Sequence, residues 1–215
     1  MRATVNQLIS LSAGFTIFLI LCRVIYSGSL AYGFFVWNLF LAGMPMVISG
    51  FLIRAETRNF QIIFFTAWLL FFPNALYIMT DLIHLKEREN VPLWFDAILI
   101  FSAAVNGLIM AYLSLQTVES FLQSKFNIQK TKLILFGCVF LGSFGVYIGR
   151  FLRWNSWDII ANPFGLTSEA GEHFFNPLQH PRTLGMTILL TVFFSIFYFT
   201  IKKITRLNYK PGNII

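Results

Sequence analysis

Long apolar stretches, separated by short polar segments, dominate the chain. Each stretch covers about twenty residues, the length that an α-helix needs to cross a hydrocarbon layer of roughly 30 Å. The alternating segments of about ten residues that are typical of membrane barrels do not occur in the sequence. The pattern predicts six transmembrane helices, at Val5–Tyr26, Leu30–Ile53, Phe60–Met79, Leu93–Leu115, Leu133–Leu152 and Thr183–Ile201.

Composition agrees with a chain that has lipid as its solvent. Of the 215 residues, 57% are hydrophobic and 12% are charged, whereas roughly 25% are charged in ordinary soluble domains. We expect an all-α polytopic helix bundle with residues 1–201 as a six-helix transmembrane domain. Residues 153–182 would form an extracytoplasmic interfacial loop, and residues 202–215 a basic cytoplasmic tail. The first apolar stretch exceeds the roughly 7 to 15 residues of a signal-peptide core, so we expect an uncleaved first span.

The distribution of Lys and Arg predicts the orientation. Six spans place both termini on one side, and that side carries ten of the sixteen Lys and Arg residues. The positive-inside rule therefore predicts that these ten residues, and both termini, lie in the cytoplasm. Because the net charge of +7 is spread among loops, the expected partner is the lipid bilayer with its anionic headgroups, and no nucleic acid. Arg23, inside the first span, is expected to snorkel towards the interface.

Groups capable of acid–base chemistry collect on the predicted external side. Asp81 and His84 follow the third span at a spacing that puts them on one face if the helix continues. A carboxylate and an imidazole are the minimum for general acid–base catalysis, so both are candidate catalytic residues. Asp96 opens the fourth span, and a charge at that depth needs a partner, for which Arg150 or Arg153 is expected.

A second group of residues suits an anionic substrate. Arg150 and Arg153 form a fork that matches phosphate or carboxylate, and two neighbouring tryptophans suit the headgroup level. The alternative left open is an aromatic belt with lipid-anchoring arginines. The predicted substrate-binding residues are Asn74, Asp96, Arg150, Arg153, Trp154 and Asp158.

Prolines interrupt two of the predicted spans. Pro45 and Pro73 each free a backbone carbonyl and bend their helix, which neighbouring polar groups can compensate. Asn74 follows Pro73 directly, so its side-chain amide is expected beside the freed carbonyl. A structural bend is the simpler interpretation of both prolines.

The fifth loop, residues 155–181, is long and contains two Asn-Pro turn signals. Loops of this length are often functional, and its phenylalanines predict that it folds over the external mouth of the bundle as a lid. His173 and His180 would then lie over Asp81 and His84. The four do not have the close, repeated spacing of zinc motifs, so whether the histidines bind a metal stays open and no metal ligand or cofactor is assigned.

Small residues in the fifth span predict close helix packing. Gly145 and Gly149 form a small-xxx-small pair, which suits contact within the bundle or between copies in a homo-oligomer. Cys22 and Cys138 lie in apolar stretches without pairing or ligand spacing, and we interpret them as core residues.

Three strings of the sequence are similar to a known family. They are Phe-Phe-Pro-Asn-Ala-Leu-Tyr-Ile-Met-Thr-Asp-Leu-Ile-His-Leu at 71–85, Trp-Phe-Asp at 94–96, and Gly-Arg-Phe-Leu-Arg-Trp-Asn-Ser-Trp-Asp at 149–158. With them the chain resembles a bacterial family of predicted membrane proteins catalogued as domain of unknown function 1361. The resemblance implies a polytopic bacterial membrane protein, which we expect in the plasma membrane, and it assigns no activity or catalytic residue.

Three functions remain in competition. The leading hypothesis is an extracytoplasmic site of Asp, His and Arg residues that binds or acts on an anionic or lipid-linked envelope substrate. A transporter or permease would use Asp96 along a substrate path, although only Asn38, Ser102 and Asn106 offer polar groups near mid-membrane. A non-catalytic scaffold would use the glycine face of the fifth span. Whether the protein is an enzyme stays open.

Overall fold

The structure, a computed structural model, describes residues 4–88, 91–154 and 157–207. It divides into two compact units, residues 1–124 and 125–215. The predicted all-α polytopic class is confirmed. The helices long and apolar enough to cross a membrane are Val5–Ser27, Phe34–Arg54, Arg58–His84, Leu93–Gln123, Ile128–Phe151 and Pro181–Thr205.

The described part of the first unit contains four α-helices and one 3₁₀-helix. They are α1 (Val5–Ser27), α2 (Phe34–Arg54), α3 (Arg58–Tyr77), a 3₁₀-helix (Ile78–His84) and α4 (Leu93–Gln123). Local signals begin and end these helices. Thr4 and Gln7 form a capping box at the start of α1, and Gly28 ends it in the left-handed conformation with φ 65°.

A glycine sets how closely α4 approaches the end of α3. A Cβ atom at Gly107 would lie 2.7 Å from the backbone oxygen of Ala75 and 3.3 Å from the Cβ of Ile78. These two residues flank the junction where α3 changes into the 3₁₀-helix. The absence of a side chain at Gly107 therefore allows the contact that positions the 3₁₀-helix.

Buried polar groups join α1 to α4 halfway along both helices. The hydroxyls of Thr16 and Ser102 lie 2.6 Å apart, and the Asn106 amide nitrogen donates to Thr16 Oγ1 at 3.0 Å and to the Ser102 carbonyl at 2.9 Å. Thr16 and Asn106 are almost fully buried. Because these groups satisfy one another, they hold two membrane-spanning helices together in an environment without water.

The second unit contains α5 (Ile128–Phe151), α6 (Asp158–Ala161), α7 (Pro163–Phe175) and α8 (Pro181–Leu207). The segment predicted as a long loop is therefore largely helical. Asn162 and Pro163, interpreted as a turn signal, begin α7, because the Asn162 side chain accepts a hydrogen bond from the Gly165 N–H at 3.0 Å and Pro suits the first helical position.

Two helices run further than the sequence predicts. Helix α4 ends at Gln123 instead of Leu115, and at 31 residues it is about 46 Å long, more than the hydrocarbon layer requires. Helix α8 continues to Leu207, into the predicted basic tail. The rest of that tail lies outside the described residues.

Candidate functional site

Asp81 and His84 meet at the end of the third span. The 3₁₀-helix carries the chain on beyond α3, and residues three apart are eclipsed in a helix with three residues per turn. His84 Nε2 lies 3.6 Å from Asp81 Oδ1. The expectation that both side chains share one face is thus confirmed, although the helix that brings them together is a 3₁₀-helix.

The two side chains differ sharply in exposure. The Asp81 side chain is 1% exposed and the His84 side chain is 42% exposed. Asn38, on α2, donates its amide N–H to Asp81 Oδ2 at 3.0 Å. A buried carboxylate, which accepts a hydrogen bond from Asn38, therefore lies behind an accessible imidazole, and this arrangement can orient the ring.

Tyr32 fixes the backbone of His84 from the residues that precede α2. Its hydroxyl donates to the His84 carbonyl oxygen at 3.0 Å, and the residue is 1% exposed. The Phe34 ring meets the His84 ring edge-on, with 5.6 Å between centroids. The position of the imidazole thus depends on the start of α2 as well as on the 3₁₀-helix.

The partner of Asp96 is Arg23, on α1. Arg23 Nε lies 2.7 Å from Asp96 Oδ1 and Arg23 Nη2 lies 3.2 Å from Oδ2, and the side chains are 2% and 1% exposed. The expected pairing with Arg150 or Arg153 is wrong, since both carboxylate oxygens bind Arg23. The expectation that Arg23 snorkels is also wrong, because a buried, bidentate partner stabilises the guanidinium inside the unit.

A second arginine, Arg88, lies beside the same aromatic ring as Arg23. The guanidinium carbon of Arg23 is 4.5 Å from the Tyr32 ring centroid, and that of Arg88 is 4.7 Å from it. Among the described residues Arg88 has no ion-pair partner, and its buried Nε has no hydrogen-bond acceptor. Among the described groups, the Tyr32 ring is the contact that stabilises its positive charge.

Sequence reasoning missed Arg23, Tyr32 and Arg88. An arginine inside the first span and an aspartate inside the fourth are opposite charges at membrane depth, and this signal points to their pairing. Tyr32 and Arg88 carry no comparable signal, because aromatic and basic residues are common at span ends.

Asn74 contacts its own helix. Its amide nitrogen donates to the backbone oxygen of Phe71 at 3.0 Å. That carbonyl lies one turn back, close to Pro73, and differs from the carbonyl of Leu69 that the proline frees. The bond lies in the turn of α3 that contains Pro73, and the side chain is partly buried.

The other four predicted binding residues belong to the second unit. Arg150 lies in the last turn of α5, and Arg153 is exposed with φ 64°, a left-handed conformation that ends the helix. Trp154 Nε1 donates to Glu169 Oε2 at 2.6 Å, which ties the end of α5 to α7. Asp158 begins α6. The structure thus describes the predicted site as two groups, with Asn74, Asp81, His84 and Asp96 in the first unit.

The histidines of the predicted lid pair with each other. The rings of His173 and His180 stack with centroids 3.7 Å apart and planes 26° from parallel. His173 Nδ1 lies 2.7 Å from Thr183 Oγ1, and His180 Nε2 lies 3.6 Å from Glu172 Oε1. No group of three or more His, Cys, Asp or Glu side chains within the described part of the chain is arranged to hold a metal ion.

Comparison with known proteins identifies one family and no characterised relative. The sequence model of a family described as "Protein of unknown function (DUF1361)" matches residues 37–197. Asn38, Asp81, His84 and Asp96 lie within the match, and Arg23 precedes it. No curated protein and no solved structure matches the chain.

Proposed function

We propose that this chain, which belongs to the DUF1361 family of proteins of unknown function, binds an anionic or lipid-linked substrate at the Asp81–His84 site. The observation that carries the proposal is the buried Asp81 carboxylate 3.6 Å from the half-exposed His84 imidazole. The chain is a multi-pass membrane protein. The charge distribution of its loops favours a location of this site on the outer face of the plasma membrane.

His84 handles the proton in this proposal. An imidazole accepts and releases protons near neutral pH, and a carboxylate behind it orients the ring and stabilises its charged form. Asn38 supports the carboxylate through the 3.0 Å hydrogen bond to Asp81 Oδ2. Asp81 is therefore the positioning residue, and His84 is the group that faces the substrate.

Positive charge beside the site supports an anionic substrate. The charge of Arg23 is compensated by Asp96, whereas Arg88 has no ion-pair partner among the described residues. Arg88 is therefore a partly buried cation on this side of the unit with the capacity to bind a negative group.

A transport pathway has less support in the first unit. The polar groups at mid-membrane, the buried Thr16 and Asn106 and the partly buried Ser102, hydrogen-bond to one another. Because the hydrogen bonds of these polar side chains are made among themselves, a role in helix packing is favoured over a role in a substrate path.

The test is complementation of a deletion strain with Asp81→Asn and His84→Gln variants. Asparagine keeps the size of Asp81 and the bond to Asn38, but it has no negative charge to stabilise an imidazolium. We expect at least a tenfold loss of complementation for each variant at normal membrane abundance. Glu87→Gln, which removes an exposed negative charge nearby, is the matched control and should complement fully.

Full complementation by both site variants would refute the proposal. If Gly145→Leu and Gly149→Leu then abolished function, the scaffold hypothesis would replace the proposal. The next measurement would be the oligomeric state, because that glycine face could join copies in a homo-oligomer. Both glycines are partly buried in α5.

A further inference from the structure

A cavity of about 340 Å³ lies beside the candidate site in the first unit. One wall comes from the end of α1, and the other comes from the residues just before α4 and from its first turn. The described residues that line it are Cys22, Arg23, Tyr26, Val91, Pro92, Trp94 and Phe95. This volume lies within the range of small-molecule sites, which are mostly apolar with a few polar groups.

The cavity itself suits an uncharged, apolar chain. Arg23 is the one charged residue among its described lining residues, and both of its short contacts to Asp96 keep that charge compensated. The remaining walls are aromatic, aliphatic, proline or thiol groups. An occupant that brought its own charge into this space would lose hydration without gaining a partner.

Arg88, next to the cavity, can pair with a negatively charged end of a molecule whose apolar part fills the cavity. Arg88 pairs through its backbone with Val91, which lines the cavity. Its guanidinium shares the Tyr32 ring with Arg23, and the two ring distances place the guanidinium carbons no more than about 9 Å apart. The buried Arg88 Nε has no acceptor among the described residues, so an anionic oxygen there would satisfy an unpaired donor.

We propose that the cavity binds the apolar chain of a phosphate-bearing lipid and that Arg88 binds the phosphate. This inference rests on the proposed function, because it names the substrate class of the same site. Tyr32 connects the two regions, since its ring contacts Arg88 and its hydroxyl bonds to the His84 carbonyl. A phosphate on Arg88 would therefore bind to a residue that shares its Tyr32 contact with His84, the residue that handles protons in the proposed function.

Cys22 provides a direct probe of occupancy. It is partly exposed and lines the cavity, and the other cysteine, Cys138, is buried in α5. In the purified full-length Cys138→Ala protein, Cys22 is the single thiol. The rate at which N-ethylmaleimide labels it in detergent micelles reports whether the cavity is filled.

The experiment compares three lipids: polyprenyl phosphate, the polyprenol with the same chain, and phosphatidic acid. We expect polyprenyl phosphate to slow labelling at least fivefold and polyprenol to slow it less than twofold. Arg88→Gln should remove the difference between the two, whereas Lys86→Gln, which neutralises an exposed cation two residues away, should preserve it. Equal protection by phosphatidic acid would support the site and identify a bilayer phospholipid as its occupant.

If polyprenol and polyprenyl phosphate slowed the labelling of Cys22 equally when Arg88 is present, the inference would be overturned, because the phosphate would then contribute nothing to binding. An unchanged difference in Arg88→Gln would overturn it as well. The lipid site and the proton role of His84 can fail separately, because neither Asp81 nor His84 is among the described residues that line the cavity. Lipid protection with full complementation by Asp81→Asn would therefore leave the lipid site standing and refute the proton role alone.

Discussion

The buried ion pair between Arg23 and Asp96 offers the sharpest energetic prediction. Replacing Asp96 by Leu leaves a guanidinium that is 2% exposed without a counter-charge. Loss of one partner of such a pair costs about 3–5 kcal/mol. The Tyr32 ring at 4.5 Å still stabilises the cation by about 1–2 kcal/mol. We therefore expect the free energy of unfolding to fall by about 3 kcal/mol, at the lower end of that range.

The double variant Arg23→Met/Asp96→Leu should recover most of this loss. Two apolar side chains of similar size remove both charges together, and such exchanges are often neutral within about 1 kcal/mol or stabilising. The double-mutant cycle should give a coupling energy of at least about 2 kcal/mol. Arg182→Met, which removes an exposed arginine at the start of α8, is the control and should change stability by less than about 0.5 kcal/mol.

Unfolding of the purified variants by titration with dodecyl sulfate, followed by tryptophan fluorescence, measures these differences. A loss below about 1 kcal/mol in Asp96→Leu would refute the reasoning, since that value is typical of a solvated surface pair. A double variant no more stable than the worse single variant would also refute it.

Three further predictions concern packing and backbone. Gly107→Ala should cost about 1–3 kcal/mol, because its Cβ would meet the Ala75 oxygen at 2.7 Å; Gly137→Ala, with no atom within 4 Å of its added Cβ, is the control in the same unfolding assay. Asn106→Leu should cost about 1–2 kcal/mol by the loss of its hydrogen bonds to α1, and an unchanged unfolding midpoint would contradict this. Arg153→Gly should stabilise the protein by about 1 kcal/mol, because φ 64° strains a residue with a Cβ; a decrease would show that the arginine side chain itself stabilises the fold.

The membrane-spanning helices could be predicted from the sequence, because hydrophobicity over twenty residues is a local property. The spacing of Asp81 and His84 also predicted that their side chains share one face, because the face of a helix depends on the spacing of residues along the chain. The 3₁₀ geometry that joins them could not be predicted. It depends on the close contact of α4 at Gly107, which is a tertiary feature.

The partner of Asp96 could not be predicted from local sequence patterns. Arg23 lies 73 positions away along the chain, and Arg150 and Arg153 are also near the ends of predicted spans. Helix α7 was missed for another reason. Asn162-Pro163 ends a helix in one context and begins one in another, and only the amide geometry at Gly165 distinguishes the two.

Labelling of intact cells tests most directly whether the candidate site faces outward. Single cysteines at Lys86, in the exposed loop beside His84, and at Lys203, on an exposed position near the end of α8, are placed in a Cys22→Ala/Cys138→Ala background. We expect a membrane-impermeant maleimide to label position 86 in intact cells, and position 203 only after lysis. Labelling of position 203 and protection of position 86 would contradict the account, because the Asp81–His84 site would then face the cytoplasm.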